Sequence, residues 1–406
     1  IAQIAPVSVA ISTRCVQPSR SAAHARPSAR ISRPSASEFR ISIVLPEKLV
    51  MTSPGTMLES EIRFSQTGTT TVTLTGTPFA ASARSAGKTY EEAVAPRWAM
   101  DTPIPEEAKK LVVMDATADI EKIAAAVDFV FCAVDMKKDE IRALEDAYAK
   151  SETPVVSNNS AHRGTPDVPM IVPELNPEHA AVIEYQRKRL GTKTGFVTVK
   201  PNCSIQSYVP ALTALYDLKP TRVVVSTYQA ISGAGKTFKR WPEMIDNVIP
   251  YIGGEEEKSE QEPLKIWGHV ENGIIVPAKE PVISAHCVRV AVADGHLATC
   301  WASFEKPASK EEIIERWRSF EGLPQKMNLP SAPHPFIQYF EENDRPQTRL
   351  DRDFEHGMGI SLGRLRGDSL FDWRFVGLSH NTLRGAAGGA VLIAELLCAQ
   401  GYIPKK

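Results

Sequence analysis

The sequence predicts an α/β protein of two unlike parts: a parallel sheet flanked by helices, then an α+β part with a mixed, mainly antiparallel sheet. Three observations carry this. Asp128-Phe129-Val130-Phe131-Cys132-Ala133-Val134 is a nearly continuous apolar run, the pattern of a strand buried on both faces. A helical segment, 139–150, follows with Ile141, Leu144 and Tyr148 on one face, and Pro154-Val155-Val156-Ser157 reads as the next strand. Beyond residue 220 the texture changes to alternation of β-branched and polar residues, as in Arg222–Ala230.

Length and composition bound the rest. The 406 residues suffice for two domains, and 43% apolar with 23% charged residues is ordinary for a globular chain. No run approaches the roughly 20 apolar residues of a membrane helix. A net charge of −1 offers no basic field for nucleic acid. The six cysteines (15, 132, 203, 287, 300, 398) form no CxxC pair, so free thiols are expected and a structural metal is not.

Taken in order, residues 1–40 carry six arginines and a single acid, Glu38. Arg- and Ser-rich, acid-poor leaders are the composition of organelle transit peptides, and equally of disordered tails. Compartment therefore stays open between cytoplasmic and organellar. Residues 51–80 are Thr- and Gly-rich without a core pattern, so 1–80 reads as a disordered or aberrant leader. Leu111–Met114 and Phe196–Val199 read as further strands of the parallel sheet. In the second half, Val288–Ala293 and Leu297–Phe304 flank Asp294-Gly295, a tight hairpin signal. Ser309 with Glu312 caps a helix carrying Ile313, Ile314 and Trp317. Ile360–Leu365 and Leu370–Val376 form another strand pair, and the last helix, from Asn381 to Ala399, is Gly/Ala-rich.

Chemistry concentrates at Lys200-Pro201-Asn202-Cys203-Ser204. Cys203 falls at a strand-to-helix junction, where unpaired N–H groups and the helix dipole lower a thiol's pKa; the alternative is a buried small cysteine. A nucleophilic thiol needs a proton shuttle, a substrate anchor and an oxyanion donor. His296 follows Asp294-Gly295 and Arg289 stands on the preceding strand, an arrangement suited to a base and a carboxylate clamp, or to a solvated turn and a surface ion pair. Gln229 ends a strand before Ser232-Gly233-Ala234-Gly235, whose glycines let backbone approach a ligand or simply turn. Arg163, after Ser157-Asn158-Asn159-Ser160, suits an anion at the carboxyl end of a parallel strand. Glu262 and Lys265 have the spacing of a helix-surface pair.

Together these segments resemble the aspartate-β-semialdehyde dehydrogenase family of the glyceraldehyde-3-phosphate-dehydrogenase-like group. The carriers are Ala81-Ser82-Ala83-Arg84-Ser85-Ala86-Gly87-Lys88, Ser157 to Arg163, Pro201-Asn202-Cys203-Ser204, Tyr228 to Gly235, Glu255 to Lys265, Cys287 to His296, and Ser379-His380-Asn381-Thr382. The resemblance covers about residues 81–400. It implies an NADP-binding Rossmann-like domain over 81–200, completed by the C-terminal helix 379–402, and a catalytic and dimerisation domain over 201–378. The implied reaction is NADPH-dependent reductive dephosphorylation of L-aspartyl 4-phosphate to L-aspartate 4-semialdehyde, a step in lysine, threonine and methionine biosynthesis. Cys203 would be the nucleophile, His296 the acid/base, Gln229 the orienting group, and Asn202 with the Cys203 backbone the oxyanion donors. Arg289 would clamp the α-carboxylate and Glu262 the amino group, while Arg163 and Lys265 would bind phosphate. Arg84 and Ser85 would meet the 2′-phosphate of NADP, with Ser232, Gly233 and Asn381 on its nicotinamide side. A homodimer or homotetramer is implied.

The sequence departs from the family at its start. A first strand and a G-x-x-G-x-x-G loop that would hold the pyrophosphate are not evident before Ala81, since Gly55, Gly68 and Gly76 are too widely spaced. The first βα unit therefore reads as missing or replaced, and poor NADP binding is expected. Two other readings follow: an N-acetyl-glutamyl-phosphate reductase, disfavoured by a carboxylate at Glu262, and a crippled or non-catalytic fragment.

Overall fold

The computed structural model describes residues 84–95, 103, 104 and 106–405, preceded by strand segments at 14–15, 37–38, 41–44, 62–64, 68–70 and 79–81. The remainder of the leader, including most of the Thr/Gly-rich stretch, lies outside the described residues.

A six-stranded sheet forms the first layer, in the order Val197–Val199, Val155–Ser157, Phe129–Cys132, Ile41–Val44, Phe79–Ala81, Val113–Asp115. Every pairing is parallel. Residues on successive positions of Phe129–Cys132 enter opposite cores. Val130 and Cys132 pack with Ile141, Leu144 and Tyr148 of helix Lys138–Lys150. Phe129 and Phe131 pack with Val391, Leu392 and Leu396 of helix Gly388–Ala399. Two covered faces explain the unbroken apolar run.

Ile41–Val44 corrects the expectation that the first strand is missing. It sits at the sheet's centre, between Phe79–Ala81 and Phe129–Cys132. Its four residues, Ile-Ser-Ile-Val, are short and embedded in an Arg/Ser-rich leader, so composition hid them. The segment that follows, 45–61, lies outside the described residues, and in sequence it still lacks a spaced glycine triplet.

The second sheet has seven strands, in the order Val248–Ile249, Val282–Val290, Pro220–Gln229, His296–Phe304, Trp373–Ser379, Ile360–Gly367, Ile337–Phe340. It is mixed: Pro220–Gln229 runs parallel to Val282–Val290 and antiparallel to His296–Phe304. The expected hairpin around Asp294-Gly295 is therefore not one. Pro220–Gln229 lies between the two strands, and their connection crosses its end through Ile231 N–H to Val292 O (2.8 Å) and Ser232 N–H to Ala293 O (3.2 Å). The Asp-Gly turn signal is local, whereas central Pro220–Gln229 offers both neighbours a full ladder. The hairpin between Ile360–Gly367 and Trp373–Ser379 does form.

One face of this sheet is covered by helix Lys310–Arg318, whose Ser309 cap accepts from Glu312 N–H (3.1 Å) and whose Trp317 is fully buried. The opposite face is half open. Val224, Ser284 and His286 are exposed, and Tyr228, Thr299, Trp301 and Val376 are half-buried. Among the described residues, no helix is long and apolar enough to cross a membrane.

Helix Gly388–Ala399 is buried from Gly388 to Cys398 and carries one acid, Glu395, which accepts from the N–H (3.0 Å) and hydroxyl (2.8 Å) of Ser331. Burial pushes this carboxyl from the ordinary 4.5 to about 7. A raised carboxyl favours the fold at low pH; its contribution is complete below the unfolded pKa and gone above the folded one. For Glu395 the window is about 4.5 to 7, with about 3 kcal/mol at stake. Wild-type protein should thus lose more melting temperature between pH 5 and pH 8 than Glu395→Gln does. Equal losses in calorimetry would show that Glu395 stays ionised in the fold.

Candidate active site

Strand Val197–Val199 delivers Lys200, Pro201 and Asn202 to the cleft, and Cys203 stands at the start of a 3₁₀ turn, Ser204–Ser207, ahead of helix Val209–Thr213. The junction is where the sequence placed it, but its electrostatics differ. The turn is short and tight rather than a long helix start. Burial pushes the Cys203 thiol up, Glu255 adds to this, and Lys200, Arg163 and Arg289 pull it back down. Burial thus outweighs any help from the turn.

Cys203 Sγ lies 3.4 Å from His296 Nε2. The imidazole is fully buried, and its other nitrogen, Nδ1, accepts the Ala230 N–H at 3.1 Å. That contact places the ring proton on Nε2, facing the sulfur. Burial, then Arg289, holds the ring's pKa well below the usual imidazole range, so it is neutral. Gln229 and Arg289 are cross-strand partners beside it. Arg289 Nη1 donates to Ala230 O at 2.6 Å, and Gln229 Nε2 donates to Thr227 Oγ1 (3.2 Å) and Glu255 Oε2 (3.4 Å).

Two glycines let these groups meet. A Cβ on Gly233 would come within 2.9 Å of Arg289 Nη1 and 3.1 Å of His296. A Cβ on Gly385 would come within 2.6 Å of Cys203 Cβ. Gly385 belongs to a π-helical turn, Leu383–Ala387, before the last helix.

The anion and ammonium ligands expected from sequence are only partly where their roles need them. Arg163 lines the cleft, with Nη1 on Glu262 Oε1 at 3.0 Å and Nε on Lys200 O at 2.9 Å. Glu262 lies one layer back: its second oxygen accepts the Asn202 N–H. Lys265 is turned away, donating to the carbonyls of Arg163 (2.8 Å), Thr165 (2.8 Å) and Val168 (3.0 Å), so its three N–H bonds staple a loop. Asn202 is also engaged, its amide donating to Glu255 (3.0 and 3.1 Å) and its carbonyl oxygen accepting from Ser204 N–H (2.8 Å). The Cys203 N–H, by contrast, has no partner among the described residues.

Sequence reading named Glu255 and Lys200 within their segments but gave neither a role. Both line the cleft. Glu255 opens helix Glu255–Ile266 and pairs with Lys258 at 2.7 Å. It precedes Glu262 by two helical turns and so shares its face, a signal blurred by the run of three glutamates.

Residues on both sides of the cleft suit a dinucleotide. Ser85, buried, and Arg84, exposed, follow the carboxyl end of Phe79–Ala81, where α/β sheets bind nucleotides. Ser82 and Ala83 lie outside the described residues. On the cleft's other side Asn381 Nδ2 donates to Ser232 Oγ (2.9 Å), Asn381 Oδ1 accepts Gly295 N–H (2.8 Å), and Gly233 leaves the space noted above. The donor set and the glycine cradle fit NADP.

A buried thiol against a neutral imidazole, beside a parallel nucleotide-binding sheet, defines a thiol-dependent dehydrogenase of the acyl-thioester class. Family comparison agrees. Residues 70–183 match the semialdehyde dehydrogenase NAD binding domain, and 212–384 match its dimerisation domain. The aspartate-semialdehyde dehydrogenase of Methanothermobacter thermautotrophicus is 41% identical over 79% of this chain and 90% of its own length. That of Aspergillus fumigatus is 41% identical over 80% and 90%. The crystal structure of the Candida albicans enzyme with NADP superposes with TM-score 0.74 at 33% identity, over 90% of this chain and all of that one. The chain belongs to the aspartate-semialdehyde dehydrogenase family.

The Gly385 contact yields a direct test of the site's packing. Gly385→Ala must displace the Cys203 backbone, and should lower the urea midpoint by the equivalent of about 1–3 kcal/mol. An unchanged midpoint would show that the π-turn yields freely.

Proposed function

We propose that this chain catalyses NADPH-dependent reductive dephosphorylation of L-aspartyl 4-phosphate, releasing L-aspartate 4-semialdehyde and inorganic phosphate. The observation that carries the reading is the 3.4 Å contact between Cys203 Sγ and His296 Nε2, in a cleft that also holds Arg289 and Gln229.

The residues divide the work as follows. Cys203, as thiolate, attacks the acyl carbon; a C–S bond forms, the C–O bond to phosphate breaks, and phosphate leaves as an anion beside Arg163. The Cys203 N–H and Gln229 face the oxygen on which negative charge develops. NADPH, held between Arg84–Ser85 and Ser232, Gly233 and Asn381, supplies the hydride when bound. His296 shares its Nε2 proton with the resulting alkoxide and recovers it as the aldehyde leaves and the sulfur is released. Arg289 clamps the α-carboxylate. Glu255, with Glu262 behind it, meets the free α-ammonium. Two carboxylates on that side favour a substrate with a free α-ammonium over an N-acetylated one, whose neutral amide brings them no opposite charge.

Oligomerisation follows from the same domain. The half-open face around Val224, Tyr228 and Trp301 suits a second copy of this chain, packed sheet to sheet. A pair of such dimers would make a tetramer. Sedimentation should report a dimer or larger for wild type and a smaller species for Trp301→Arg; an unaltered distribution would place the interface elsewhere.

The reaction itself is tested by NADPH oxidation with aspartyl phosphate. Cys203→Ser should lower the rate by roughly a thousandfold or more. Because 45–61 lacks a spaced glycine triplet, the KM for NADPH should fall about tenfold or more when 41–61 is replaced by a strand–GxxGxxG–helix unit. Absence of turnover in both the wild type and that chimera, each folded, would sink the proposal.

A further inference from the structure

Among the described residues, the cleft holds one lysine that the reaction above leaves unassigned and that no carboxylate pairs. Lys200 is 3% exposed and lines the same cleft as Cys203. Its ammonium donates to the Pro201 carbonyl, and among the described residues no carboxylate lies within ion-pair reach of it. The neighbouring lysines differ: Lys258 is paired with Glu255, and Lys265 is caged by three carbonyls. Arg163 is paired with Glu262. The Lys200 stem has a built channel, since a Cβ on Gly389 would come within 3.2 Å of its Cδ.

A thiolate buried beside a neutral imidazole needs a positive partner. His296 is not that partner. Its Nδ1 accepts the Ala230 N–H and so has no room for a second proton. We infer that Lys200 is the counter-charge that holds Cys203 as a thiolate and sets the pH at which the nucleophile becomes reactive. This rests on the reading of Cys203 as the nucleophile of the proposed reaction.

The surrounding charges agree in sign. Glu255 opposes ionisation of Cys203, while Lys200, Arg163 and Arg289 favour it, Lys200 most among them. Conversely, burial pushes Lys200 down to about 7, Arg163 and Arg384 act in the same direction, and Cys203 and Glu262 push back. Each of the two buried groups therefore favours the charged form of the other, and their titrations are linked.

The test uses the full chain and needs no substrate. Alkylation of Cys203 by iodoacetamide is followed by peptide mass against pH, for wild type, Lys200→Met and Lys200→Arg. In Lys200→Met the half-maximal pH should rise by about one unit, which makes alkylation about tenfold slower at pH 7. Lys200→Arg remains charged throughout, so its half-maximal pH should match or fall below that of wild type. A folded Lys200→Met with the wild-type profile overturns the inference. If Lys200→Met fails to fold, Lys200→Arg decides alone, and a rise in its half-maximal pH overturns it. A Lys200→Met that keeps the wild-type profile but raises the KM for phosphate in the reverse reaction would make Lys200 a substrate ligand instead. Failure of the proposed activity would appear separately, as lack of NADPH oxidation in a wild type whose Cys203 still alkylates normally.

Discussion

The arrangement of the site depends on one hydrogen bond, from Ala230 N–H to His296 Nδ1. Ala230 is the first residue beyond strand Pro220–Gln229, and His296 is the first residue of the strand beside it. The bond therefore exists only because Pro220–Gln229 is inserted between Val282–Val290 and His296–Phe304. Had those two strands formed the hairpin that Asp294-Gly295 suggests, His296 would have had no backbone donor there and could have taken either tautomer. The crossover makes one tautomer, one protonation state and one direction for the ring. It also brings Arg289 opposite Gln229 and sets Gly233 against the Arg289 guanidinium and the His296 ring.

With His296 fixed as neutral, the charges around Cys203 must balance by other means. Burial disfavours every ion in this cleft, so most of those that remain charged are paired or caged. Arg163 and Glu262 satisfy one another, as do Glu255 and Lys258, and Glu262 also holds the Asn202 N–H. Asn202 is consequently a strut between two glutamates. Its rigidity fixes the turn on which Cys203 stands, a contribution distinct from stabilising an oxyanion. Lys265 acts similarly at the next turn of its helix, tying the loop that carries Arg163.

The sequence showed more of the fold than of the cleft's internal pairing. Strand–helix–strand around Phe129–Ser157 was plain because both faces are buried and the apolar run is continuous. Gln229 ends a strand, His296 begins one, Arg289 stands one residue from a strand end and Cys203 follows Val197–Val199 by four residues, positions near strand ends that periodicity locates. Ile41–Val44 was hidden because a four-residue central strand has no length from which to read a pattern. Sheet order was hidden because an Asp-Gly turn reports only local geometry. The caging of Lys265 and the lack of a carboxylate partner for Lys200 among the described residues were hidden for another reason: only groups from distant segments tell the two lysines apart.

The two sheets are joined at the cleft by an interaction that no single segment announces. Arg384, 1% exposed, makes a two-pronged pair with buried Glu174, donates from Nε to Gln206 (3.1 Å), and lies over the Phe336 ring at 4.8 Å. Glu174 comes from the loop after the Arg163 segment, Gln206 from the turn that begins at Cys203, and Arg384 from the π-turn that sets Gly385 against Cys203. A buried pair of this kind gives little net stability, because desolvation cancels much of the attraction, but breaking it leaves an ion with no solvent. Its effect is therefore on position. The planar guanidinium accepts one orientation of the carboxylate and one of Gln206, and so fixes the distance between the thiol turn and the π-turn. On that π-turn Arg384 reaches inward to Glu174 while Gly385 faces Cys203. Catalytic geometry on the second sheet is thus held in register with the nucleotide-binding sheet by an ion pair whose own contribution to folding is small.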